Sequence, residues 1–219
     1  MKKIIILILI YLLSINIVRT ETTMLELPLL GQEIYLDAGH GGIDPGATYK
    51  DINEKDIALA ITLKLEEALS RRGAIVYMTR ITDTDLAAPN ATYRKKSDLG
   101  NRAKLINEST ANLYLSIHLN SYPSSKWSGA QVFYTTKNEQ NKIIADVIQN
   151  ELKENLKTTR ELKEIKNMYM YDRINKPGVL IEVGFISNTN ERQKLLNDEY
   201  QQQLVATITE GVIRYFYQK

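Results

Sequence analysis

The chain has no cysteine among its 219 residues. That absence excludes disulfides and any thiolate metal centre, and it leaves redox chemistry silent about the compartment. Histidine is nearly absent too, with two in the whole chain. Excess charge is missing: Lys2, Lys3 and Arg19 lie in the first twenty residues, which hold no acid, and the remaining 25 basic residues face 26 acidic ones, a net of −1. A near-neutral body lacks the basic face that nucleic-acid binding needs, so that class of partner is excluded. The only long apolar run, Ile4 to Val18, is broken by Ser14 and Asn16. It is shorter than the ~20 residues a membrane span requires. What is present is ordinary for a globular protein, with 43% hydrophobic and 25% charged residues, and the length suits one domain with a substantial core.

The N-terminus speaks for export. Lys2-Lys3 followed by the apolar run has the layout of a secretory signal. No A-x-A-like site follows, so residues 1–20 read as a signal peptide or an uncleaved membrane anchor, residues 21–32 as a linker and residues 33–219 as one folded domain. The expected location is extracytoplasmic.

Hydrophobic periodicity predicts an alternation of strands and helices. A first strand over 33–37 runs into a glycine-rich loop over 39–46. Asn53 is a good N-cap for a helix whose apolar residues Ile57, Ala60, Ile61, Leu65, Ala68 and Leu69 recur at helical spacing and which Gly73 ends. Strands follow near 75–79, 113–118, 130–135, 168–171 and 179–183. Helices are expected over 97–107, 138–155, 189–196 with Ser187 as cap, and up to about Tyr217 with Asp198 as cap. This pattern predicts an α/β fold, a single domain with a mostly parallel mixed sheet of about six strands and helices on both faces.

In such sheets ligands bind at the carboxyl ends of strands. Both histidines stand there: His40 opens the glycine turn and His118 closes Leu-Tyr-Leu-Ser-Ile-His. Two imidazoles with carboxylates nearby and no sulfur make a nitrogen–oxygen metal site the simplest shared purpose. Glu182 is the third oddity, a carboxylate inside Val-Leu-Ile-Glu-Val that must be paired, metal-bound or protonated if buried. Glu54 sits in the first turn of a helix, where acids are favoured anyway. On spacing alone it competes with Asp44, Asp51 and Asp56.

Four segments resemble the zinc-dependent N-acetylmuramoyl-L-alanine amidases of the amidase-3 type: LDAGHGGIDPGA (36–47), NEKDIALAI (53–61), LSIHLNS (115–121) and VLIEVGFISN (179–188). MTR (78–80) and RAKLIN (102–107) fit in order and spacing. The resemblance implies one zinc ion held by His40, Glu54 and His118, and Glu182 as the catalytic carboxylate. It implies hydrolysis of the amide between N-acetylmuramic acid and L-alanine of the peptidoglycan stem. Among branches of the family, the chain is most similar to single-domain sporulation and germination amidases. These act on spore cortex and prepare muramic δ-lactam; a general wall-lytic amidase and a non-catalytic peptidoglycan-binding domain are the competing readings. Only 63 residues separate His118 from Glu182, which leaves no room for a long blocking helix. Control is therefore expected from a signal, from timing, or from an activating or targeting protein at the membrane. Around the site, Asp37 or a backbone carbonyl is expected to orient His40, and Asn120 to help hold substrate. Arg80 is expected to meet an anionic stem peptide or to pair with Asp83, and Tyr122 and Trp127 to flank a sugar or peptide groove.

Overall fold

The computed structural model describes residues 27–217. The signal-or-anchor reading of residues 1–20 lies outside the described residues. Among the described residues, no helix is long and apolar enough to cross a membrane.

Among the described residues eight strands form: β1 (Glu33–Ala38), β2 (Thr48–Tyr49), β3 (Ile52–Asn53), β4 (Ile75–Met78), β5 (Leu113–Asn120), β6 (Gln131–Tyr134), β7 (Lys163–Glu164) and β8 (Gly178–Phe185). The helices are α1 (Glu54–Arg71), α2 (Arg94–Glu108), α3 (Glu139–Leu156), α4 (Thr189–Leu195) and α5 (Asp198–Tyr217), with one 3₁₀ turn at Tyr171–Arg173. Strands β2 and β3 form a small hairpin; the other six make one sheet in the order β4-β1-β5-β8-β6-β7. β4, β1, β5 and β8 run parallel, whereas β6 lies antiparallel to β8 and β7 parallel to β6. The predicted mixed, mostly parallel sheet of six strands is the one observed.

Strand alternation builds the two faces. In β5, Leu113, Leu115, Ile117 and Leu119 enter the core formed with α1, α3 and α5, while Tyr114 turns to a second core with Ile106, Met170 and Tyr171. β8 divides the same way, with Val179, Ile181 and Val183 on the first face and Leu180 on the second. A period of two makes this division compulsory once one residue is placed. The α1 stripe Ile57, Ile61, Leu65 and Leu69 is buried to 4% exposure or less. Full burial of each such side chain contributes about 1.5–3 kcal/mol.

Four local expectations need correction. Residues 168–171 form a turn leading into the 3₁₀ segment, and the extra short strand is β7 instead. Met170 and Tyr171 are apolar because they plug the second core, not because they extend. α4 is capped by Asn188, whose side chain accepts from the amides of Asn190 and Glu191, and not by Ser187. Asn197 accepts from the Tyr200 amide at 2.9 Å, so it caps α5 and Asp198 lies in the first turn. α2 begins three residues early, at Arg94.

Candidate metal centre and active site

The carboxyl ends of β1, β5 and β8 meet at one edge of the sheet because these strands are parallel neighbours. His40 follows β1, His118 lies near the end of β5, and Glu182 is paired with His118 across β5 and β8. Glu54 enters from outside the sheet as the first residue of α1. The register slips between His118 and Asn120, where three β8 steps, from Glu182 to Phe185, oppose two in β5. Such a bulge re-aims side chains and is favoured next to active sites.

Three donor atoms converge. Glu54 Oε1 lies 3.1 Å from His40 Nε2 and 3.1 Å from His118 Nδ1, and the two imidazole nitrogens are 3.2 Å apart. A tetrahedral centre with bonds of about 2.0–2.1 Å places its ligand atoms roughly 3.3 Å apart. The triangle therefore has the size and the donor chemistry of three ligands around one ion. Glu54 is fixed by backbone: the amide of Leu119 donates to Oε1 at 2.9 Å and that of Ala47 to Oε2 at 2.8 Å. Burial pushes its carboxyl up, but the two imidazoles outweigh burial and hold it well below the ordinary carboxylate range. Glycine at 39 is obligatory for this packing, since a Cβ there would stand 2.4 Å from the His118 ring.

Glu182 is half-buried as a residue, yet its Oε2 is enclosed and has no hydrogen-bond partner among the described residues. Burial, with the Glu54 charge adding and the two imidazoles opposing, raises its carboxyl to about 7. An enclosed carboxylate with one bare oxygen, beside three converging donors, is suited to exchanging a proton with a small molecule held there.

The surroundings differ from expectation. His40 Nδ1 donates to Asp44 Oδ2 at 3.0 Å, so Asp44 and not Asp37 orients the ring. Asp44 is held low, at about 2: burial opposes, but the bonds from His40 and Lys95 prevail. Asp37 lies deeper and accepts from Thr79 (2.8 Å), Arg102 (2.8 Å) and Ser116 (2.6 Å). Arg80 is 4% exposed, and it donates to the carbonyls of Ala38, Gly39, Lys55 and Thr82. That commits all three of its nitrogens to backbone, and Asp83 pairs with Lys55 at 2.7 Å instead. Arg80 is thus a brace for the His40 loop, not a surface for substrate. Arg102, which the composition did not single out, completes the brace by donating to Ala38 and His40 carbonyls at 2.7 and 2.5 Å. His40 itself has φ 58°, a left-handed conformation that the surrounding structure must enforce in a side-chain-bearing residue. Asn120 stands half-buried at the end of β5, on the same face as His118, and its side chain makes no hydrogen bond among the described residues. Tyr122 and Trp127 are 54% and 47% exposed and meet edge to face at 5.9 Å.

A surface cleft of about 620 Å³ lies between the C-terminal half of α1 and α5, lined by Lys64, Ala68, Val205 and Thr209. It contains none of His40, Glu54, His118 and Glu182, so donor chemistry and not cleft size locates the site.

Comparison with known proteins agrees with the geometry. A germination-specific N-acetylmuramoyl-L-alanine amidase of Bacillus subtilis (strain 168) is 49% identical over 199 residues, covering 89% of this chain and 84% of the relative. The solved CwlD amidase from Clostridioides difficile, in complex with the GerS lipoprotein, is 42% identical with a TM-score of 0.81, covering 86% of this chain and all of that one. An N-acetylmuramoyl-L-alanine amidase from Clostridium difficile 630 is 32% identical with a TM-score of 0.77, covering 86% and 98%. Residues 34–214 match the Amidase_3 domain, described as N-acetylmuramoyl-L-alanine amidase, and this chain belongs to that family.

Proposed function

We propose that this chain is a zinc hydrolase that cuts the amide between the lactyl group of N-acetylmuramic acid and L-alanine in spore cortex peptidoglycan. The observation that carries the reading is the triangle of His40 Nε2, Glu54 Oε1 and His118 Nδ1 beside the bare Oε2 of Glu182. His40, Glu54 and His118 would hold the ion. Zinc so bound supplies an acidified water and a polarised amide carbonyl.

The chain's own residues do the rest. Glu182 takes a proton from the attacking water and passes it to the departing alanine nitrogen. Water oxygen thus joins the lactyl carbonyl carbon as the carbon–nitrogen bond breaks; one water proton reaches the amine through Glu182 and the other stays on the new lactyl carboxyl group. In the metal-free chain burial raises this carboxyl to about 7; a cation beside it would draw it down, toward the base that the first half of the transfer needs. Asp44 keeps the His40 ring in the tautomer that leaves Nε2 free, and Arg80 and Arg102 hold the loop that carries it. Asn120 contacts the substrate in this reading, which its position on the same face as His118 supports.

The cortex role is supported by the germination-specific relative and by CwlD. A membrane-associated protein partner is part of the proposal, supported by the GerS complex of the Clostridioides difficile protein. Residues 1–20 serve as signal or anchor, and residues 33–219 form the catalytic domain acting outside the cytoplasm. Zinc-dependent release of intact stem peptides from cortex peptidoglycan tests the reading; glycan cleavage or peptide trimming in its place would refute it.

A further inference from the structure

Arg160 is the arginine whose surroundings the amidase reading does not use. Its guanidinium lies 4.8 Å from the Trp127 ring centroid and 4.8 Å from that of Phe185. Its Nε donates to the Ser128 carbonyl at 2.9 Å. Its backbone is held on both sides: the amide donates to Thr158 Oγ1 at 3.2 Å, and the carbonyl accepts from Gln149 Nε2 at 3.0 Å. Thr158 Oγ1 in turn donates to the Ala130 carbonyl at 3.0 Å. This close approach of the 158–160 loop requires glycine at 129, where a Cβ would stand 2.4 Å from Thr158 Oγ1. Against this effort of positioning, Nη1 and Nη2 have no hydrogen-bond partner among the described residues, and no carboxylate there pairs with the group.

The strand register puts this group on the face of the chemistry. Gln131 of β6 is paired with Glu182, and Phe185 of β8 is paired with Asn120, so both share the face that carries His118. Gln131 Nε2 donates to the carbonyl of Glu161, the residue next to Arg160, at 2.7 Å. Two strand spacings separate Glu182 from this loop, roughly 10 Å. An extended peptide crosses that distance in about two to three residues.

We infer that Arg160 is a specificity-determining residue that receives a free carboxylate on the second or third residue of the stem peptide. The inference rests on the amidase reading. A planar guanidinium with both terminal nitrogens uncommitted is matched to a carboxylate held by two parallel hydrogen bonds. Stacking against Trp127 and Phe185 lowers the entropy lost when the ligand arrives. Arg80 has no such freedom, because backbone carbonyls engage it.

The test compares two synthetic muropeptides that differ only in whether the side-branch carboxylates of the stem are free or amidated. Steady-state kinetics are measured for the unmodified protein, Arg160→Gln and Arg160→Lys, with zinc content and melting temperature as controls. The unmodified protein should show a KM roughly 10- to 100-fold lower for the free acid than for the amide, the worth of a charge-assisted pair. Arg160→Gln should raise KM for the free acid by the same factor, leave kcat nearly unchanged and not affect the amidated substrate; Arg160→Lys should recover part of the loss. Equal KM values for the two substrates in the unmodified protein overturn the inference even if a variant misfolds. Equal losses on both substrates in a folded, zinc-loaded variant also overturn it. Turnover of either substrate keeps the amidase reading standing whatever Arg160 does, whereas turnover of neither by folded, zinc-loaded protein with its membrane partner present refutes that reading and the subsite with it.

Discussion

Asp44 Oδ2 accepts a hydrogen bond from His40 Nδ1 at 3.0 Å, and the same carboxylate oxygen is 3.0 Å from Lys95 Nζ. The bond fixes which nitrogen of His40 is free, and it is Nε2 that faces Glu54 Oε1. Substituting Asp44→Asn keeps the shape and removes the charge. Zinc affinity is expected to fall about 10- to 100-fold, as for other residues that orient a ligating histidine. Competition against a chromogenic chelator measures this directly; an unchanged affinity would show that the loop alone orients the ring.

Glu182→Gln separates catalysis from binding. The substitution removes the proton acceptor, so turnover should fall by about 10²- to 10⁴-fold with zinc still bound. It also affects stability in a direction that a merely structural residue would not. Burial lifts the Glu182 carboxyl from 4.5 to about 7, so the folded chain binds that proton more tightly than the unfolded chain. Its stability contribution is full below about pH 4.5 and is lost as pH rises toward 7. Metal-free Glu182→Gln should therefore be more stable than the parent at pH 8, by about 3 kcal/mol. The two should converge below pH 4.5. Urea titrations at several pH values read the difference.

Arg102→Met tests the buried brace. Arg102 and Asp37 are each 1% exposed and pair at 2.8 Å. Removing the cation strands Asp37, which should cost about 3–5 kcal/mol at pH 7. Burial raises the Asp37 carboxyl, but Arg102, His118 and Ser116 together pull it below its ordinary value. The stability it contributes is thus present above about pH 3.9 and is lost as pH falls below that value. The gap between parent and variant should narrow in acid. A constant gap would mean that lost packing, and not the ion pair, carries the effect.

Metal removal should be legible in thermal stability. A ligand that binds only the folded state at 100 times its Kd adds about 2.7 kcal/mol. Chelation of the parent protein should lower its melting temperature, and zinc should restore it. Glu54→Gln, which takes the charge from the shared donor position, should bind zinc weakly and show little response to either treatment.

Sequence and structure agree where a local pattern has one physical outcome. Alternation in Leu-Tyr-Leu-Ser-Ile-His left β5 one way to lie in a two-sided sheet, and that placed His118 at the ligand-binding edge. Glu182 was conspicuous because a carboxylate in an apolar strand needs a reason. Glu54 was different. Its spacing did not distinguish it from Asp44, Asp51 or Asp56, and only the resemblance singled it out, because which acid a helix start delivers depends on how that helix docks. The roles of Asp37, Arg80 and Arg102 were beyond reach for the same reason: the partners that fix them lie in chain segments 40–65 residues away, whereas Asp44 stands only four residues from His40. Residues 168–171 misled because a short apolar run reads alike as a strand or as a plug in a core.

The account turns on which bond is cut and whether the three converging donors serve it. The most direct measurement is mass spectrometry of cortex peptidoglycan incubated with the purified protein, with zinc present and after chelation. Release of whole stem peptides from intact glycan strands, dependent on zinc and lost in Glu182→Gln, is the expected result. Intact stems after exposure to folded, zinc-loaded protein and its membrane partner, or release that persists without zinc, would contradict it.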